Sequence, residues 1–168
     1  MQQAPANRRA VTVAHRFVSA STATMTCMKR NATAVWKGDL KGGKGVISTQ
    51  SGVLDQTQYS FSTRFENGKG TNPEELVAAA HAGCFAMALS MMLGQEGMTA
   101  DSIEATATVS LEQKDGGFAV TSSHLEVKVK VPGGDKGKFE RAAQNAKAGC
   151  PISKLLNAEI TMNAQLES

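Results

Sequence analysis

The chain has 168 residues, 41% apolar and 20% charged, which is enough for one globular domain with a sizeable core. The net charge of +3 is uneven: residues 1–30 hold five basic residues and no acid, and the rest holds 13 basic and 15 acidic residues. With only 5% aromatics, that body has neither the basic face nor the stacking platform of a nucleic-acid binder, and no run of 18 apolar residues marks a membrane span. The three cysteines, Cys27, Cys84 and Cys150, form no CxxC, and His15, His81 and His124 are scattered, so neither a disulfide scaffold nor a structural zinc site is expected.

The segment 1–27 is rich in Ala, Ser, Thr and Arg, and the first acid of the chain is Asp39. It lacks the apolar run of a secretory signal. Its composition fits a flexible N-terminal extension, a start assigned too early with Met28 as the true one, or a transit segment. Cys27 is given no role. Residues 28–168 are read as one domain.

"NATAVWKG" reads as a first strand and "GVISTQSGVL" as a second, joined by the glycine-rich "GDLKGGKG". "YSFSTRF" reads as a third strand, with Tyr59, Phe61, Thr63 and Phe65 on one face and Arg64 on the other. After the loop "ENGKGTN" comes a helix. Asn72 suits the N-cap, Pro73 the first turn, Glu74 and Glu75 the helix dipole, and Gly94 the end after Leu93. Nearly everything from Leu76 to Leu93 is small or apolar. Such a helix is expected to be buried on all sides, under a sheet and a second chain. "IEATATVSLEQ" and "HLEVKVKVP" alternate as strands around a "KDGG" turn, "DKGKFERAAQNAKAG" and "PISKLLN" read as helices, and "AEITMNAQLE" closes the chain as a strand. The order βββ-α-ββ-α-α-β describes an α+β domain with antiparallel hairpins.

Chemistry centres on Cys84, in "HAGCF". A cysteine on an apolar helix is ordinarily packing material, and burial alone makes a thiol inert. Reactivity needs a cation beside it. His81 lies one turn back, and either an ordinary helix histidine or a site group fits that spacing. Cys150 falls at the N-cap before Pro151, and two cysteines on separate elements can meet and support attack followed by disulfide resolution. Arg64 is either a solvated strand residue or a fixed cation for a thiolate, held by Glu74 or Glu75. Glu74 and Cys84 are ten residues apart, about 15 Å along a straight helix. For both to serve one site, the helix must start later, the arginine must span the gap, or two subunits must combine.

"GTNPEELVAAAHAGCFAMALS" with "AKAGCPISKLLNAEI" resembles the OsmC/Ohr family of osmotically inducible and organic hydroperoxide resistance proteins, and "KRNATAVWKGDLKGGKGVISTQSGVL" with "YSFSTRFENGKGTNPEELVAAAHAGC" resembles its OsmC branch. The likeness runs from about Met28 to the C-terminus. It implies an OsmC-like fold: an intertwined homodimer with antiparallel sheets around buried central helices and active sites at the subunit interface. The activity it implies is a thiol peroxidase acting on organic hydroperoxides in oxidative and osmotic stress. Cys84 matches the peroxidatic cysteine, Cys150 the resolving one, Glu74 the motif glutamate and Arg64 its arginine partner. The implied reductant is an external dithiol, in the family a lipoylated protein, with no metal, haem or flavin. No nucleic acid or membrane partner is implied. The expected setting is the cytoplasm, or an organelle if residues 1–27 are a transit segment. A thiol redox sensor or a non-catalytic dimeric binding domain are the alternatives.

Overall fold

The computed structural model describes residues 27–167, and Asn31–Ser168 form one compact unit. Residues 1–26, and with them most of the proposed N-terminal extension, lie outside the described residues. Strands β1 (Ala32–Lys37), β2 (Lys44–Thr49) and β3 (Thr57–Ser60) form an antiparallel sheet in that order. In the β1–β2 turn the Asp39 carboxylate accepts hydrogen bonds from the amides of Lys41 at 2.9 Å and Gly42 at 2.8 Å, which lowers its pKa. The second strand is shorter than its sequence suggests. It stops at Thr49, whose amide turns back to the Leu54 carbonyl across Gly52, at φ +76°.

The third strand departs further from expectation. Only Thr57–Ser60 is extended, and Phe61–Phe65 is a one-turn helix, α1. The alternation of aromatics is overridden by a capping box: Ser60 Oγ accepts from the Thr63 amide at 3.3 Å, and Thr63 Oγ1 from the Ser60 amide at 2.9 Å. Phe61 and Phe65 then stack one turn apart, with centroids 4.8 Å from each other. Arg64 therefore leaves a helix, not a strand.

Helix α2 (Pro73–Gln95) starts as read, with Asn72 Oδ1 accepting from the Glu75 amide at 2.8 Å. Gly94 does not end it. The stop is a Schellman motif around Gly97 at φ +73°, where the amides of Met98 and Gly97 reach the carbonyls of Leu93 and Gly94. The second sheet has the order β4-β5-β6, built from β4 (Ser102–Lys114), β5 (Gly117–Lys130) and β6 (Glu159–Glu167). Asp115 and Gly116, both at positive φ, make the expected tight turn between β4 and β5. The sheet is mixed, not antiparallel throughout: β6 runs parallel to β5, because α3 (Lys136–Gly149) and α4 (Pro151–Leu155) carry the chain back to the starting edge.

The core joins Phe85, Leu89 and Leu93 of α2 to Leu125, Val127 and Val129 of β5, and to Phe139, Ala142, Ala143 and Ala146 of α3. Glu126, Lys128 and Lys130 keep the outer face of β5 in solvent. By length and composition α2 is apolar enough to cross a membrane, yet its His81–Phe85–Leu89–Leu93 edge is fully buried in this core. Leu89→Ala is expected to cost about 2–5 kcal/mol, read as a lower urea midpoint at fixed protein concentration. The opposite edge of α2 is not buried within one chain: Met87 is 78% exposed and Met91 56%. All-round burial from this chain alone is therefore not what the fold provides.

Candidate active site

The candidate residues are assembled as two separate groups. The first lies where α1 meets the start of α2. Asn72 Nδ2 donates to the Thr63 carbonyl at 3.0 Å and ties the two helices together. That brings Arg64 onto Glu74: Nη2 donates to Oε1 at 2.7 Å, and Nε meets Oε1 at 3.1 Å and Oε2 at 3.2 Å. This is a two-pronged guanidinium–carboxylate pair, with the Glu74 side chain only 14% exposed. Glu75 is occupied elsewhere, accepting from Thr71 Oγ1 at 2.7 Å. Of the two glutamates the sequence left open, Glu74 is thus the one that holds Arg64. Beside the guanidinium lies an apolar cavity of about 300 Å³, lined by Trp36, Leu40, Tyr59, Phe61, Phe65 and Pro73.

The second group lies where α2 passes the α3–α4 junction. Cys84 is half-buried and packs on the core, Cys150 is fully buried, and both are free thiols. The two thiols lie near enough, beside the Ile152 amide, for each to bear on the other's protonation. Burial, followed by the effect of Cys150, pushes the Cys84 thiol up against the pull of the Ile152 amide. Burial acts on Cys150 too, but the Ser153 amide and hydroxyl, the Cys84 thiol and the Ile152 amide outweigh it and bring Cys150 below the ordinary value. Within one chain the surroundings thus raise the Cys84 thiol and lower that of Cys150.

The sequence singled out four residues, and the fold joins them as two pairs. Arg64 meets Glu74, and Cys84 meets Cys150. The pairs do not meet each other, because α2 is continuous from Pro73 to Gln95 and sets Glu74 about 15 Å along the axis from Cys84. His81 does not turn its nitrogens to Cys84. It is fully buried, with Nδ1 2.8 Å from Ser123 Oγ and Nε2 2.9 Å from Ser153 Oγ. Burial lowers its pKa and keeps it neutral. Sequence reasoning passed over both serines. The available signals were a hydroxyl, Ser123, just before the apolar positions Leu125, Val127 and Val129 of β5, and a serine one turn after Cys150.

Residues 66–165 match the family model of OsmC-like proteins. The chain belongs to the OsmC family. Peroxiredoxin OsmC of Escherichia coli is 57% identical over 144 residues, covering 86% of this chain and all of the relative. Organic hydroperoxide resistance protein OhrB of Bacillus subtilis is 30% identical over 129 residues, covering 76% of this chain and 93% of the relative. The crystal structure of that OhrB superposes with a TM-score of 0.59 at 27% identity, over 82% of this chain and 98% of its own. An OsmC-like protein from Mycoplasma pneumoniae shares the fold with a TM-score of 0.67, at 17% identity over 85% of this chain and 100% of its own. The α+β architecture described above is thus the OsmC family's fold.

Proposed function

We propose that this chain is a cysteine-based peroxidase that reduces organic hydroperoxides to alcohols in defence against oxidative stress. The observation that carries the reading is the contact between the Cys84 and Cys150 thiols, in a chain 57% identical to a peroxiredoxin. The Cys84 thiolate attacks the terminal peroxide oxygen. The O–O bond breaks, the alkoxide takes up a proton and leaves as an alcohol, and Cys84 becomes a sulfenic acid. Cys150 then displaces hydroxide from that sulfur, giving a disulfide and water. An external dithiol, such as a lipoylated protein, restores both thiols by exchange. A cytoplasmic setting, where thiols are kept reduced, suits this cycle.

The working unit is a homodimer. Ala80, Gly83, Met87, Ser90, Met91 and Gly94 fall on one edge of α2 and are all exposed in a single chain. A Cβ added at Gly83 or Gly94 would meet nothing within 4 Å. An open stripe of small and methionine side chains along the central helix suits close packing against a second copy. A second copy also supplies what one chain lacks: the Arg64–Glu74 pair of one protomer charges the Cys84 of its partner. The aromatic cavity beside Arg64 then receives the organic part of the peroxide.

The test is turnover of an organic hydroperoxide with a dithiol. Cys150→Ser is expected to reduce one equivalent of peroxide, then accumulate sulfenic or over-oxidised Cys84, seen by mass spectrometry. A Cys150→Ser protein that recycles at the wild-type rate would remove Cys150 from the resolving role. A wild-type protein that is oxidised by peroxide but never turns over would favour a sensor.

A further inference from the structure

His81 is the only fully buried polar side chain on α2, and the cycle above does not use it. Its two nitrogens each meet a serine hydroxyl, Ser123 at 2.8 Å and Ser153 at 2.9 Å. Ser123 is itself fully buried on β5, and Ser153 sits in the first turn of α4, three residues after Cys150. One imidazole therefore links the helix that carries Cys84, the helix that Cys150 opens and the central strand of the sheet.

The hydrogen bonds can run in one sense throughout. A neutral imidazole donates from one nitrogen and accepts at the other, and each hydroxyl donates once. Ser123 O–H donates to Nδ1, Nε2–H donates to Ser153 Oγ, and Ser153 O–H, in the turn that Cys150 opens, is then free to donate toward the Cys150 sulfur. No buried side-chain polar atom among the described residues is left without a partner.

We propose that His81, fixed by Ser123, is a positioning residue for disulfide formation: it aims the Ser153 hydroxyl at the Cys150 sulfur as Cys150 attacks the Cys84 sulfenic acid. The inference rests on Cys150 being the resolving thiol. In that step the S–S bond forms as the S–O bond of Cys84 breaks. The Cys84 sulfur is reduced, the Cys150 sulfur is oxidised, and the proton Cys150 gives up leaves with hydroxide as water. Ser153 stabilises the negative charge on Cys150 before attack.

A histidine that served packing alone would affect stability and both half-reactions together. The test is a single-turnover reaction with tert-butyl hydroperoxide. It follows Cys84 oxidation and Cys84–Cys150 disulfide formation separately, with dimedone trapping the sulfenic acid. In full-length His81→Gln and Ser153→Ala, disulfide formation is expected to slow about tenfold, while Cys84 oxidation stays near the wild-type rate. Ser153→Thr, which keeps the hydroxyl, should restore the rate. Should His81→Gln fail to fold, Ser153→Ala, at a half-buried position, decides the matter. Wild-type disulfide formation in Ser153→Ala, or an equal fall in both half-reactions, overturns the proposal. A wild-type protein that forms no Cys84–Cys150 disulfide overturns the resolving role itself, and this inference with it.

Discussion

Replacing Cys84 with serine is expected to lower organic hydroperoxide turnover by at least about a thousandfold. The sulfur is the only atom at that position that can accept the peroxide oxygen and return it as water. A serine hydroxyl is neither ionised at neutral pH nor reducible by a dithiol. The substitution nearly preserves volume at a half-buried position, so secondary structure and urea midpoint should stay close to wild type. Loss of activity with the fold intact separates chemistry from packing. Turnover in Cys84→Ser comparable with wild type would sink the peroxidatic assignment and favour passive thiols.

Arg64→Ala is expected to lower turnover by about a hundredfold and to raise the pKa of the Cys84 thiol. Burial, with Cys150 beside it, raises the Cys84 thiol, and no cation among the described residues of the same chain acts to lower it. An opposite charge within about 4–6 Å favours the charged form, and Arg64 is pre-set for that task. Its guanidinium is held along its Nε–Nη2 edge by Glu74, leaving its remaining N–H groups to face a thiolate. An ultraviolet titration of thiolate against pH checks this directly. The wild-type curve should lie at lower pH than that of Arg64→Ala, both in a Cys150→Ser background that removes the second thiol. Coincident curves would take Arg64 out of the site.

Much of this was legible in the sequence, and the misreadings have physical causes. The caps of α2, the Asp115–Gly116 turn and the alternating faces of β4 and β5 rest on local rules that the fold obeys. The run Tyr59–Phe65 misled because alternating aromatics favour a strand, whereas the Ser60–Thr63 capping box, equally local, starts a helix. Gly94 looked like a helix stop. It lies inside α2, and Gly97 supplies the left-handed residue the ending needs. The parallel pairing of β6 could not be read from its own residues, since direction is set by the α3–α4 return. At the site, the residue types were legible and the partnerships were not. That Glu74 rather than Glu75 holds Arg64 depends on Thr71 engaging the other carboxylate. That His81 turns to two serines depends on three elements meeting in space.

On the proposed mechanism, the separation of the two pairs along α2 calls for a second chain in the chemistry. Mixing the inactive Cys84→Ser and Arg64→Ala proteins under conditions that exchange subunits tests this directly. In a dimer whose sites combine two chains, each mixed pair holds one site with an intact Cys84 facing an intact Arg64. A 1:1 mixture should then recover about a quarter of wild-type turnover, because about half the dimers are mixed and each has one working site. If Arg64 instead served the Cys84 of its own chain, every site in the mixture would carry one lesion. Turnover would then stay at the average of the two parents, and the shared site would be contradicted.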